Sequence, residues 1–352
     1  GEYTQGAGAG AALIKQNPRL LEIEDTWGVS TNPVHDFFKP KRKITHQKMV
    51  QEILDLAKEK DATFPEHLSE EIVKAIPASS KKDEILFEEN SLTIHKDTPV
   101  FDGQLSNRCY TDAVKNAFIN FKENAIKRGR YNEDTDDIIT EQWSRIVVHL
   151  PYAFQGKRMF PDVFMLDRKE TLTGASIIKQ IGEDPSADDT KMAGFSDSEQ
   201  EKIKNGYRRL ISKTEEYQKF TADKIEKTQK ASGFVGNQYT ASIFLALMST
   251  LEIDLSENNK LEGKKIGFCA YGSGAKSKVF QGIVQKDWAE ITKRFNLFSR
   301  LENRTAINAT TYEALHRGYQ LESVVKPSGE FVIESVGGSD VLEGHRKYTW
   351  VD

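Results

Sequence analysis

Cysteine is nearly absent: Cys109 and Cys269 are the only two in 352 residues. So wide a separation makes no disulfide framework and fits a reducing cytoplasm. No apolar run approaches the roughly 20 residues that a membrane-crossing helix needs, so no membrane partner is expected. The opening Gly1-Glu2-Tyr3-Thr4 lacks the basic start and apolar middle of a signal peptide. Positive charge is not in excess either: the formal charge is -4 with both signs interspersed, which argues against nucleic acid and anionic lipid as partners. The seven histidines form no His-x-x-x-His pair, and the acidic run Glu133-Asp134-Thr135-Asp136-Asp137 lacks the glycine of a calcium loop. No metal site is therefore expected. A Gly-x-Ser-x-Gly elbow and a Walker loop are both missing, which removes the serine-hydrolase and P-loop readings.

What is present is ordinary for a globular protein, with 38% hydrophobic and 29% charged residues. The length allows a large core in one big domain or two smaller ones. There is no Met at the head of the sequence. The run Gly6-Ala7-Gly8-Ala9-Gly10 leads straight into Ala11-Ala12-Leu13-Ile14. It reads as a glycine turn feeding a buried strand over 10–14, in the middle of a domain, closed by Asn17-Pro18. Apolar spacing predicts a helix over 46–58 and a weaker one over 68–76. Within the charged stretch 41–97 no strand is expected before Ile85, and the stretch reads as a surface insertion. Further on, the pattern predicts a helix from Tyr110 with Ala113, Ala117, Phe121 and Ala125 on one face. A strand is expected over 144–149, a loop over 182–190, and helical structure over 197–230 broken near Thr214. A helix over 240–251 and strands over 265–270 and 331–337 complete an alternating α/β layered pattern.

Gly6-x-Gly8-x-x-Ala11 matches a relaxed dinucleotide fingerprint, but that motif needs a strand before the glycines and a helix after them. Here the expected strand follows, so the glycines more readily serve close backbone packing. His149 stands at the end of an apolar strand, before Pro151-Tyr152 and the cations Lys157 and Arg158. It is either a satisfied core histidine or an imidazole released into a cleft beside a reacting carbonyl. Lys157 and Arg158 are either a solvated helix face or contacts for an anionic cofactor. Asn237 is either a helix N-cap or a non-titrating amide donor to a carbonyl oxygen. Gly272-Ser273-Gly274 follows a strand, with backbone N–H groups able to face a developing oxyanion. The trio suits thioester carbon–carbon bond chemistry, which needs a cysteine nucleophile, yet Cys109 and Cys269 both look structural.

Taken together these motifs resemble the 3-hydroxy-3-methylglutaryl-CoA synthases of the thiolase superfamily. The likeness runs through Gly6-Ala7-Gly8-Ala9, Asp36-Phe37-Phe38-Lys39-Pro40 and Pro99-Val100-Phe101-Asp102-Gly103-Gln104-Leu105-Ser106 with Cys109-Tyr110. It continues in His149-x-Pro151-Tyr152, Gly236-Asn237-x-Tyr239-Thr240 and Tyr271-Gly272-Ser273-Gly274. It implies a thiolase-like layered αβαβα fold, incomplete at the N-terminus. In it 1–40 would end an N-terminal half, 41–97 would be a helical insertion, and 98–352 a C-terminal half. It further implies condensation of acetyl-CoA with acetoacetyl-CoA through a cysteine acyl-enzyme, without a cofactor other than the CoA thioesters, in a cytoplasmic homodimer of the mevalonate pathway. His149 would polarise the acetoacetyl carbonyl and Asn237 hold the thioester. Gly272, Ser273 and Gly274 would line the oxyanion site, and Lys157 and Arg158 would meet CoA. The family's cysteine and glutamate lie upstream of the glycine run, so a missing N-terminal segment is an expected partner. Phe154 stands where the family usually carries a lysine. Two other readings are a ketoacyl synthase III-like enzyme for other acyl thioesters and a non-catalytic binding subunit.

Overall fold

A computed structural model describes residues 5–38, 40–59, 71, 91–95, 100–132, 138–320, 322–338 and 342–352. The chain divides into two compact units, Gly1–Phe295 and Asn296–Asp352.

The first unit opens with β1 (Leu21–Thr31), β2 (Phe37–Phe38), β3 (Lys41–Thr45) and α1 (His46–Glu59), followed by β4 (Ser91–His95) and β5 (Val100–Phe101). The long α2 (Gly103–Lys127) and short α3 (Ile139–Gln142) lead to β6 (Trp143–Val148). Helices α4 (Gln155–Met159), α5 (Pro161–Arg168), α6 (Leu172–Ile181), α7 (Asp189–Met192), α8 (Asp197–Ile211), α9 (Glu215–Lys224) and α10 (Glu226–Val235) follow. A 3₁₀ turn (Tyr239–Ala241) enters α11 (Ser242–Ser256), and β7 (Lys265–Gly272), β8 (Lys276–Val284) and α12 (Trp288–Thr292) close the unit.

One sheet organises it, in the order β1-β8-β7-β6, with β6 parallel to β7 and the other pairs antiparallel. Cross-strand register sorts its side chains into two faces. Gly28, Val279, Cys269 and Val148 form one row across the sheet, and Trp27, Phe280, Phe268 and Val147 form a row on the opposite face. The first face carries α2. A Cβ on Gly28 would lie 2.0 Å from the Ala117 carbonyl oxygen and 2.6 Å from Phe121 Cβ, so only glycine lets the helix come this close. Asp102 caps α2, its Oδ1 accepting from the Gln104 and Leu105 N–H groups at 2.9 and 3.1 Å. That cap starts the helix seven residues before the expected Tyr110. The i, i+4 series Ala113, Ala117, Phe121 and Ala125 is buried as its spacing requires. On the second face the Arg145 guanidinium on β6 forks onto Asp254 of α11, with N···O distances of 2.6 and 2.8 Å. The helical region breaks at Thr214, whose Oγ1 caps α9 by accepting from Tyr217 N–H.

Two expectations fail here. Residues 10–14 form no strand, and Leu13 and Ile14 are 89% and 92% exposed. The strand at this end of the chain is β1, whose two-residue alternation is interrupted by a bulge between Ile23 and Trp27. Within 41–97 the charged run Lys41–Thr45 is a strand, paired antiparallel with Ser91–His95. Its partner lies about fifty residues away, so local composition carries no sign of it. The helix over 46–59 is present, whereas the one expected over 68–76 lies, Glu71 apart, outside the described residues.

The second unit contains α13 (Leu297–Glu302), α14 (Ala309–His316) and a hairpin of β9 (Glu330–Val336) with β10 (Arg346–Val351). Asn308 caps α14 through Thr311 N–H, and Phe331 meets Trp350 edge to face at 5.1 Å.

Candidate active site

Parallel pairing brings the carboxyl ends of β6 and β7 to one edge of the sheet. His149 follows β6 directly, and its N–H donates to the Cys269 carbonyl at 3.0 Å, extending the ladder by one residue. The Tyr110 hydroxyl donates to the His149 carbonyl at 2.9 Å. Both backbone groups of the histidine are thus fixed before its side chain is considered. The imidazole stands with Nδ1 2.6 Å from Oγ of Ser242, the first residue of α11. Tyr110 and Tyr271 flank it, each ring centroid 6.4 Å away. Burial among these groups pushes the imidazole down to about 4, so it is neutral at physiological pH.

Behind Tyr271 lies Asp36, only 1% exposed. Its two carboxylate oxygens accept from the Tyr271 hydroxyl at 2.6 Å and from Gly274 N–H at 2.8 Å. Burial, then the hydrogen bond and charge of Asp36, raises the Tyr271 phenol well above its usual range and keeps it protonated. This corrects one expectation about the glycine turn. Gly274 N–H does not face an empty oxyanion position, because it is bound to Asp36. The Gly274 carbonyl accepts from Val34 N–H at 3.1 Å, and Ala275 exchanges two 2.9 Å bonds with Asn32. With φ of +111°, Gly274 adopts a conformation that side-chain-bearing residues rarely enter. It anchors the 32–36 loop, while Gly272 and Ser273 remain exposed.

Asn237 sits in a strained turn between Gly236 (φ +88°) and Tyr239 (φ +50°). A non-glycine residue in the left-handed region costs about 1–3 kcal/mol, a strain that clusters at functional sites. Asn237 Oδ1 accepts from Tyr239 N–H at 2.7 Å, and its carbonyl accepts from Gly6 N–H at 2.8 Å. Its amide Nδ2 makes no hydrogen bond among the described residues and is left as a donor. The expected close packing of the glycine run is present: a Cβ on Gly6 would lie 2.1 Å from the Val235 carbonyl oxygen. Asn237 and Ser242 are the two ends of one six-residue segment, which links the amide in sequence to the partner of His149.

Lys157 is paired with Glu226 at 2.8 Å, and Arg158 is exposed with the Tyr152 hydroxyl 3.4 Å away. Phe154 is exposed beside them. Of the thiols, Cys269 is fully buried and pushed up to about 12 by that burial. Cys109 lies in the second turn of α2, not at its start, and burial followed by the nearby Asp36 charge raises it too. Neither is an activated thiolate. Among the described residues no group of three His, Cys, Asp or Glu side chains could hold a metal ion, and no helix is long and apolar enough to cross a membrane. A cavity of about 490 Å³ lined by Asn17, Arg19, Glu262 and Lys286 lies at the opposite end of β7 from His149.

Sequence reasoning passed over the roles of Ser242, Tyr110 and Asp36. Asp36 and Tyr110 stand in the resemblance motifs without an assigned task, and Ser242 closes the small-residue helix entry after Asn237.

The fold places the chain in a known class. It superposes on the structure titled MvaS in complex with 3-hydroxy-3-methylglutaryl coenzyme A over 95% of this chain and 59% of that one, with a TM-score of 0.60 at 19% identity. The HMG synthase of the curacin biosynthetic pathway matches with a TM-score of 0.57 at 17% identity, again over 95% of this chain and over 60% of that one. The architecture is thiolase-like, a layered α/β fold. The family model described as hydroxymethylglutaryl-coenzyme A synthase C terminal matches residues 91–328, and the chain belongs to that family. Hydroxymethylglutaryl-CoA synthase of Haloferax volcanii is 24% identical over 358 residues, covering 100% of this chain and 64% of that protein. The Schizosaccharomyces pombe enzyme is 28% identical over 218 residues, 61% of this chain and 44% of its own length. The chain thus spans less than two thirds of each of these relatives.

Proposed function

We propose that this chain carries the acceptor-binding portion of a hydroxymethylglutaryl-CoA synthase. The reaction is condensation of acetyl-CoA with acetoacetyl-CoA to 3-hydroxy-3-methylglutaryl-CoA through a cysteine acyl-enzyme. The observation that carries this reading is the neutral His149, fixed at its backbone and at Nδ1 at the sheet edge where the Asn237 turn enters α11. In the condensation a base removes a proton from the acetyl methyl of the acyl-enzyme, and the resulting carbanion attacks the ketone carbon of acetoacetyl-CoA. The carbon–oxygen π pair moves onto oxygen. A neutral imidazole donating from Nε2 stabilises that alkoxide and passes it a proton to give the 3-hydroxyl, the proton taken from the methyl restoring the imidazole. The Asn237 amide, itself non-titrating, offers a second donor for a thioester carbonyl. Water then cleaves the enzyme thioester, releasing product and returning the thiol.

The nucleophile and its base belong, on this reading, to an N-terminal segment of the same protein. The raised thiols of Cys109 and Cys269 support this, as do the longer relatives. Exposed apolar Leu13 and Ile14 beside the glycine run offer that segment a surface to cover. Lys157 and Arg158 would meet CoA phosphates, with Lys157 exchanging Glu226 for the ligand. Gly272 and Ser273 would keep the oxyanion role that Gly274 does not take. The protein would act as a homodimer in the cytoplasm, within the mevalonate route.

The test is labelling with radioactive acetyl-CoA followed by peptide mapping. The chain alone is expected to form no acid-stable thioester, and a chain extended by the relatives' upstream segment is expected to be labelled within that segment. Stoichiometric label on Cys109 or Cys269 would overturn the assignment.

A further inference from the structure

We propose that Ser242 is a positioning residue that sets the tautomer of His149, keeping Nδ1 bare and the proton on Nε2. The inference rests on the condensation reading only for its catalytic consequence; the tautomer itself follows from hydrogen-bond accounting.

A serine hydroxyl has one proton and two acceptor lone pairs. Leu150 N–H points at Ser242 Oγ from 3.4 Å and occupies one lone pair. The 2.6 Å approach of His149 Nδ1 requires one proton between the two atoms. If the imidazole supplied it, Oγ would accept from two N–H groups and its own proton would need a third partner. No acceptor for that proton exists among the described residues, and the Ser242 side chain is 0% exposed. Leaving a buried hydroxyl proton unpaired is unfavourable, because its hydrogen bond to water is lost and nothing replaces it. If the serine supplies the proton, every polar atom at this contact is satisfied. Ser242 therefore donates, Nδ1 accepts, and the ring proton resides on Nε2.

The consequence is directional. With Nε2 protonated, His149 presents a donor to whatever occupies the sheet edge, which suits a carbonyl oxygen or alkoxide and rejects another donor. Ser242 thereby fixes the chemical sense of the site without touching the substrate. Its position as the first residue of α11 ties that sense to the same six-residue segment that carries Asn237.

The experiment is a long-range proton–nitrogen correlation on the chain labelled with ¹⁵N-imidazole histidine, with His149 assigned by its loss in H149Q. The expected wild-type spectrum has an unprotonated Nδ1 and a protonated Nε2. S242A should shift both nitrogens toward exchange between tautomers, and S242T, which retains the hydroxyl, should restore the wild-type pattern. A protonated Nδ1 in the wild type overturns the proposal, as does a folded S242A with unchanged nitrogen shifts. Should the variants not fold, the wild-type spectrum alone decides. In a chain extended upstream, S242A should lower kcat roughly tenfold or more, because a ring in the wrong tautomer offers no donor from Nε2, with KM for acetyl-CoA unchanged. A protein that shows the Nε2–H tautomer yet fails to condense the two thioesters removes the functional reading and leaves the role of Ser242 standing.

Discussion

At the scale of the residue, His149 couples the site to pH. Its folded pKa of about 4 lies below the unfolded value of 6.5. Between those values the unfolded chain binds a proton that the native one does not, so stability rises with pH across this window. The contribution is complete above 6.5 and is lost as the pH falls toward 4, at no more than about 1.4 kcal/mol per pH unit. Urea unfolding of wild type and H149Q, measured from pH 7 to 4, is expected to show a shallower acid loss in the variant. Parallel curves would mean that the imidazole is not desolvated. His149 was legible in the sequence because an apolar strand ending in His-x-Pro is a local pattern. The part played by Ser242 was not, because it depends on a contact across 93 positions. The task of Gly274 escaped the sequence for a related reason: the turn was visible, but the carboxylate that binds its N–H comes from Asp36, 238 residues away.

At the scale of the element, legibility followed the distance over which each signal acts. α2 declared itself through apolar residues at four-residue intervals, and the break between α8 and α9 through a capping threonine. β1 is half polar and bulged, and three of the five residues of β3 are charged. Both are strands because of what they pair with, which no local window contains. A tight helix–sheet contact falls on β1, where Gly28 meets α2. G28A would drive a methyl into the Ala117 carbonyl and force helix and strand apart, and strain of this kind costs typically about 1–3 kcal/mol. A lowered urea midpoint with an unchanged slope is the expected result. A midpoint equal to wild type would mean that α2 has room to retreat. Gly129, where an added methyl would meet nothing within 4 Å but φ is +65°, is the control for backbone conformation alone.

At the scale of the whole molecule, the apolar surface is unevenly covered. Ile23, Trp27 and Val29 share one face of β1, and all three are exposed together with Leu13 and Ile14. Exposed apolar residues lined up on one strand face offer a surface that another segment or chain can cover. Sedimentation velocity is expected to show concentration-dependent self-association of the chain, reduced by W27S. A monomer at every concentration would contradict it. The thiolase-like class could be inferred before any coordinates because its motifs are spread along most of the chain. The uncovered face of β1 could not, since exposure is a property of the assembled sheet.

The strand order β1-β8-β7-β6 also carries a consequence for how the molecule is made. β1 leaves the ribosome long before its partner in the sheet, β8, which begins at Lys276. Closing so long a loop before any pairing is gained is slow. A nascent chain halted before Lys276 holds Ile23, Trp27 and Val29 on a segment whose one partner in the sheet has not been made. Until β8 emerges, that segment has no strand partner and its apolar side chains stay open to other chains, the condition under which incomplete sheets aggregate.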